Sequence, residues 1–405
     1  MKSRFYGILL LLASAFLFVS CSAPTKNQSK SDLPAQVSKN IATVDKAIQT
    51  QDPFVKNTEK PVEQSVTAPQ KSQDYDEKEV QKYYDKAREL EGIQKYEDAI
   101  NYYIKAEKIL TDHTPKNAYS DLYLRRARLY YKIGDLNDAW YDYSTHINFF
   151  SQDYDAYNER GIVSYDSMDY ETALGDYDAA IDITQDKDYI FYNRALTYYA
   201  LERYYEAVDD FDKVISFNPQ DYEAISYKGL CYTALGEYEK SISLQKEALK
   251  INPLYSIAYN EMGNASFYSF MDDDAIEYYT KAIGLEENPN YYFNRAKVYL
   301  YNQRYDEAVS DFIRTIELNP KDYEAFNQIG YCYYAQKNYA EAEEYFLSAL
   351  DINYMYTPAC YNLGLVYEKY EDYEKAIEYY NYVIDYAEPS DSLIEKATER
   401  IKAIS

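Results

Sequence analysis

The chain has 405 residues, 47% of them hydrophobic, and a formal net charge of −26. That length and apolar content are enough for sizeable buried cores. The acidic balance argues against nucleic acid, whose recognition needs Lys and Arg clusters to displace counterions; otherwise it reports solubility more than any ligand.

Residues 1–20 read as an export signal. Lys2 and Arg4 supply the positive start, Ile8 to Val19 the apolar run, and Ser20 precedes Cys21. The apolar run, about a dozen residues, is too short to span a bilayer and suits a signal peptide. Phe18-Val19-Ser20-Cys21 resembles a bacterial lipobox, with Phe18 where Leu is usual and Leu17 just before it. The resemblance implies a bacterial host and a Cys21 that becomes the new N-terminus and carries several acyl chains. Two or more chains hold a protein stably, so the expectation is a lipid anchor in the cell envelope, with the remainder exported from the cytoplasm. Which membrane carries it stays open. The alternative is an ordinary signal peptide that happens to end near a Cys.

After Cys21, residues 22–78 hold eight Lys and eight acidic residues, and only Phe54 and Tyr75 as aromatics. Such a segment buries too little apolar surface to offset its ordering entropy. Residues 21–78 are therefore expected to form a lipidated linker reaching roughly 40 Å as a flexible coil. Val37, Ile41, Val44 and Ile48 fall at helical spacing, which leaves room for a short helix there.

From residue 79 the chain is periodic. Small residues recur at Ala87, Ala127, Gly161, Ala195, Gly229, Gly263, Ala296, Gly330 and Gly364, at intervals of 40, 34, 34, 34, 34, 33, 34 and 34. Twelve residues after each comes a second: Ala99, Ala139, Ala173, Ala207, Ser241, Ala275, Ala308, Ala342 and Ala376. If the first small residue is position 8, units begin at Val80, Ser120, Tyr154, Asp188, Tyr222, Ser256, Pro289, Tyr323 and Thr357. Large residues occupy positions 11, 17 and 24 of most units. Each unit reads as two helices of about 14 residues joined near position 15, often by Gly-Asp or Gly-Glu, as at Gly134-Asp135 and Gly236-Glu237. A period near 34 with this small–large alternation marks stacked helical hairpins. The second helices often end in Asn-Pro, as at Asn218-Pro219, and Pro cannot continue a helix.

These residues resemble the tetratricopeptide repeat (TPR) family throughout 79–388. The resemblance implies an all-α, right-handed superhelical α-solenoid of about nine hairpins. Residues 389–405 read as a capping helix with Leu393, Ala397, Ile401 and Ile404 on its buried stripe.

Position 7 is Arg in four units (Arg126, Arg160, Arg194, Arg295), and position 23 of those same four is Asp (Asp142, Asp176, Asp210, Asp311). Arg and Asp occur together or not at all, which predicts a salt bridge between the two helices of one hairpin. The fifth and sixth units depart from the pattern: Gln245 replaces the position-24 aromatic, Ser266 the position-11 aromatic, and Asp272 the position-17 Tyr. Packing is expected to be weakest between 245 and 275.

No catalytic, metal or cofactor constellation is evident. His113 and His146 are isolated from each other, and the Gly residues are scattered as punctuation rather than gathered in a phosphate loop. Cys231, Cys332 and Cys360 read as buried free thiols. The chain is thus expected to bind and not to catalyse. In TPR proteins positions 5 and 12 of the first helices line a concave groove. Here they carry Tyr84, Tyr192 and Tyr361, and Tyr131, Tyr165, Tyr199 and Tyr334, with Phe267 and Phe293 equivalent. Either these rings contact a ligand or they serve lateral helix packing. Asn260 and Asn264 are expected to offer hydrogen bonds mid-groove, and Arg88 and Arg128 to meet an acidic group near its N-terminal end. The Lys and Asn clamp by which some TPR proteins hold a chaperone's carboxylate end is absent. The resulting expectation is a membrane-anchored scaffold that binds a protein or peptide segment, in plan like the TPR lipoproteins of envelope assembly and transport complexes. The alternative is a solute-binding or transport-accessory lipoprotein with a small-molecule pocket between helices.

Overall fold

The computed structural model describes residues 77–110, 120–388 and 390–405. Cys21, the linker and His113 lie outside them. The described residues form 19 helices and no strand. They divide into two units, one through Ala224 and one from Ile225.

The first unit holds four hairpins: α1 (Glu77–Gly92) with α2 (Tyr96–Glu107), α3 (Ser120–Lys132) with α4 (Leu136–Phe149), α5 (Tyr154–Asp166) with α6 (Tyr170–Ile183), and α7 (Asp188–Ala200) with α8 (Tyr204–Phe217). The unit boundary falls within α9 (Tyr222–Ala234), which α10 (Tyr238–Ile251) follows. In the second unit come α11 (Ser256–Tyr268) with α12 (Asp272–Leu285), and α13 (Pro289–Tyr301) with α14 (Tyr305–Leu318). Then follow α15 (Tyr323–Ala335) with α16 (Tyr339–Ile352), α17 (Thr357–Lys369) with α18 (Tyr373–Tyr386), and α19 (Ser392–Ile404). Within each unit a second helix packs on the first helix of the next hairpin, and some first helices also touch their successors directly, as α5 does α7 and α15 does α17.

Every hairpin turns in the same way. Position 15 has a positive φ in all nine: 60° at Gln94, 83° at Gly134, 61° at Met168, 59° at Glu202, 75° at Gly236, 59° at Phe270, 58° at Gln303, 67° at Lys337 and 61° at Glu371. The next residue's N–H then donates five residues back, as Lys95 does to the Leu90 carbonyl and Asp169 to that of Ser164. This is a Schellman closure, and only two of the nine turns use the Gly that suits it.

The small and large positions meet face to face. A Cβ added at Gly161 would lie 2.7 Å from the Tyr177 ring, and one at Gly364 would lie 2.4 Å from that of Tyr380. Those glycines let the position-24 ring of the second helix lie against the first-helix backbone. Tyr103, Tyr143, Tyr177, Phe211, Tyr279, Phe312, Phe346 and Tyr380 are accordingly among the largest fully buried side chains. Hairpin five uses a different core. Gln245 is buried in place of a ring, its amide donating to the Ser226 carbonyl at 2.9 Å and accepting from the Ser226 hydroxyl at 2.6 Å. At the C-terminus Leu393 and Ala397 of α19 cover the last hairpin, with Ile401 and Ile404 packed beside them.

Cys231, Cys332 and Cys360 are buried thiols that form no disulfide, as their apolar positions suggested. Burial pushes the Cys360 thiol up to about 12.

Candidate functional site

Four guanidinium groups hold the hairpins. Arg126 bonds Asp142 at 2.6 and 2.8 Å, Arg194 bonds Asp210 at 2.7 and 2.8 Å, and Arg295 bonds Asp311 at 2.7 and 2.8 Å. Arg160 straddles Asp176 at 2.5 to 3.2 Å. All four bridges implied by the shared occurrence of Arg and Asp are formed. The remaining nitrogen of each Arg reaches the second helix of the preceding hairpin: Glu107 for Arg126, the Ser144 hydroxyl for Arg160, Asp178 for Arg194, and the Thr280 hydroxyl for Arg295. Each guanidinium therefore ties three helices, which the sequence pattern alone did not reveal.

A second device joins the first helices to one another. The Asn193 amide donates to the Asn158 carbonyl oxygen at 2.9 Å, Asn294 to Asn260 at 3.0 Å, and Asn362 to Asn327 at 2.9 Å. In each case a position-5 Asn accepts from a position-6 Asn of the next hairpin. The signal was present in the sequence as Asn at those two positions of successive units.

The residues expected to line a ligand groove divide on this scaffold. Tyr84, Tyr165, Tyr192, Tyr199 and Tyr361 are buried. Tyr192 is 0% exposed, with its ring edge-on to Phe211 at 5.7 Å; Tyr84 meets Tyr103 at 5.6 Å, Tyr199 meets Tyr204 at 5.4 Å, and Tyr361 meets Tyr380 at 5.5 Å. In each of these pairs the second ring belongs to the second helix of the same hairpin.

Asn260 and Asn264 are not open to a partner backbone, contrary to expectation. Asn260 is buried and gives its amide to Glu261 while accepting from Asn294. Asn264 donates to Glu261 at 3.1 Å and accepts from the Tyr279 hydroxyl at 2.6 Å. Arg128 meets an acidic group of this chain itself, gripping Glu159 at 2.8 and 2.7 Å. Arg88 is exposed.

Half-exposed rings remain on the first helices. Phe267 lies edge-on to Tyr301 at 5.7 Å, Phe293 meets Phe312 at 5.3 Å, and Tyr334 meets Tyr339 at 5.3 Å. The Lys297 ammonium sits 5.9 Å from the Phe293 ring centre. Burial pulls that ammonium down to about 8, and burial together with Asp322 pushes the Glu324 carboxyl up to about 8. In the first unit the Tyr131 hydroxyl donates to Asp166 at 2.6 Å, and burial pushes the Asp166 carboxyl up to about 6. An open cavity of about 630 Å³ lies between the second and third hairpin turns, lined by Ile133, Gly134, Asp135, Leu136, Asn137 and Ser167. His146 bonds Asp153 at 2.8 Å and stacks on Phe150, a structural role. Among the described residues no group of three or more His, Cys, Asp or Glu side chains is arranged to hold a metal ion. Also among them, no helix is long and apolar enough to cross a membrane.

Family models described as tetratricopeptide repeat match residues 189–221, 224–253, 293–355 and 357–389. These segments are tetratricopeptide repeats. A tetratricopeptide repeat protein from Parabacteroides merdae shares the fold, with a TM-score of 0.54 at 18% identity over 63% of this chain and 99% of that one. YrrB, described as a TPR protein with an unusual peptide-binding site, aligns at 25% identity and a TM-score of 0.40, covering 47% of this chain and 99% of its own. Heat shock protein STI1 of Saccharomyces cerevisiae is 35% identical over 74 residues, which are 18% of this chain and 13% of that protein.

Proposed function

We propose that this chain is a protein-interaction scaffold which holds a protein or peptide segment on its first-helix face and carries out no catalysis. The observation that carries the reading is the run of tetratricopeptide hairpins whose first helices are joined side by side through Asn–Asn bonds. Such joints fix the spacing of a face at little cost in later ordering, and a preorganised face binds with less entropy lost. Half-exposed Phe267, Phe293 and Tyr334 would supply contact area there. Capture of partners by the full chain, compared with Phe267→Ala plus Phe293→Ala, tests the reading. A partner whose recovery falls at least about fivefold supports it; unchanged recovery of every partner overturns it.

In the finer part of the proposal, Cys21 is lipidated, residues 22–78 space the repeats from a membrane, and the scaffold serves a bacterial envelope complex. The lipobox-like Phe18 to Cys21 supports this. Cys21→Ala should move the protein from the membrane fraction to the soluble one. Persistence in the membrane fraction would refute the anchor.

A further inference from the structure

Three departures from the repeat meet at the last two hairpins. Position 21 is Ile, Leu, Val or Trp in the other eight units, but Glu343 in the eighth. Position 26 is Lys, Arg, Glu, Thr, Ser or Ala in the first eight units, but Tyr382 in the ninth. Position 30 is Ile, Leu or Phe in the first eight units, but Tyr386 in the ninth. Core packing asks for none of the three. Tyr382 and Tyr386 are 38% and 41% exposed, and Glu343 puts charge where the other units put carbon.

One line of rings links them. The hydroxyl of Tyr367, on α17, donates to Glu343 of α16 at 2.5 Å, the short separation of a charge-assisted bond. Tyr367 is buried, and its ring lies parallel to that of Tyr379 on α18, with centres 5.4 Å apart and planes at 7°. The contacts continue outward along α18, from Tyr379 to Tyr382 at 6.0 Å and from Tyr382 to Tyr386 at 6.1 Å. Four phenols thus run from an exposed end to a buried one, and the buried phenol is bonded to a base. Hairpin eight is the contrast. Tyr333 stacks on Tyr345 at 5.5 Å in the same two positions, but Ser348 and Ile352 fill positions 26 and 30, and Val309 stands where Glu343 would. Tyr131 and Tyr189 also donate to carboxylates, Asp166 and Asp155, so such a bond alone is not distinctive. Its union with a stacked line to exposed rings is.

We propose that this line carries one-electron oxidation inward, from a diffusible radical oxidant met at Tyr386 or Tyr382 to Tyr367, with Glu343 as the proton acceptor. A phenol that loses an electron becomes a strong acid, so oxidation is easiest where a base waits for the proton. The Lys375 ammonium, 4.8 Å from the Tyr367 ring centre, opposes a positive charge on that ring, so electron and proton have to leave together. In balance, the oxidant gains one electron, and Tyr367 gives up one electron and its hydroxyl proton. The proton passes to Glu343, leaving a neutral tyrosyl beside a carboxylic acid. Each outer phenol oxidised on the way regains an electron from the next ring inward. It also takes back the proton it had lent to water or, for Tyr382, to Glu378 at 3.3 Å. Burial then shields the radical from coupling with other molecules. The inference stands apart from the scaffold reading, since none of these residues is among the rings assigned to the partner.

Flash oxidation of the full chain by photogenerated tris(bipyridine)ruthenium(III) tests it, read as the tyrosyl electron paramagnetic resonance signal that survives several seconds. Tyr367→Phe and Glu343→Gln should each lower that long-lived signal at least about fivefold, with thermal melts close to that of the parent chain. Tyr379→Phe, which breaks the line but keeps the Tyr367–Glu343 bond, should lower it as well. Tyr333→Phe, the matched change in hairpin eight, should leave it in place. A long-lived signal undiminished in Tyr367→Phe or in Glu343→Gln would overturn the assignment, and so would an equal loss in Tyr333→Phe. Partner capture by Tyr367→Phe reports on the scaffold reading separately.

Discussion

Asp142 is only 1% exposed and takes both its charge-assisted bonds from Arg126, so its solvation depends on that guanidinium. Breaking such a pair leaves a buried charge uncompensated, which costs about 3–5 kcal/mol. Arg126→Met alone should therefore destabilise its hairpin by that amount in urea unfolding. Arg126→Met with Asp142→Tyr copies the Met262 and Tyr278 found at the same positions of the sixth unit. That double variant should recover most of the loss; a double variant as unstable as the single one would refute the account. Lys297 and Glu324 make a different residue-scale case. A carboxyl raised to about 8 contributes stability below its ordinary range and loses it as pH climbs through 8. An ammonium lowered to about 8 contributes stability above its ordinary range and loses it as pH falls through 8. Both effects are least favourable near pH 8. Melting temperature measured from pH 5 to 10.5 should thus show a dip near 8 relative to Lys297→Met plus Glu324→Gln, and parallel curves would exclude it.

The hairpin turn asks more of its residues than the sequence suggested. Gly134 and Gly236 meet the left-handed conformation without strain, but Met168 and Phe270 adopt it as well, at φ of 61° and 59°. Their side chains are 72% and 54% exposed, so little packing is lost on removing them. A left-handed residue with a Cβ costs roughly 1–2 kcal/mol, part of which Gly gives back through greater freedom when unfolded. Phe270→Gly should raise stability by about 0.5–1 kcal/mol, read from the urea midpoint; a lower midpoint would show that the ring matters. The elements themselves were legible because most hairpins repeat one small–large contact, such as Gly161 with Tyr177 and Gly364 with Tyr380. The candidate site was less so. Helical position says which side of a helix Asn260 occupies, but not that Asn294 of the next first helix reaches it, nor that Tyr192 spends its ring on Phe211 of its own hairpin.

At the scale of the whole molecule, stability in a repeat array is a sum of hairpin and nearest-neighbour terms. Most hairpins contribute a buried ring at position 24. Hairpin five relies instead on Gln245 and its two bonds to Ser226, and hairpin six has Ser266 at position 11, as hairpin three has Ser164, each hydroxyl buried without a hydrogen bond. Amides between 245 and 275 should accordingly exchange faster than those of the fourth hairpin. Equal protection would mean that hydrogen bonds replace the lost rings in full. The Arg–Asp clasp bears on a longer timescale. Because cation and anion sit sixteen positions apart inside one 34-residue period, a gene that gains or sheds a whole period copies or deletes both together. No ancestor need pass through an interior with an orphaned charge, so lengthening or shortening the array by recombination is open to descent.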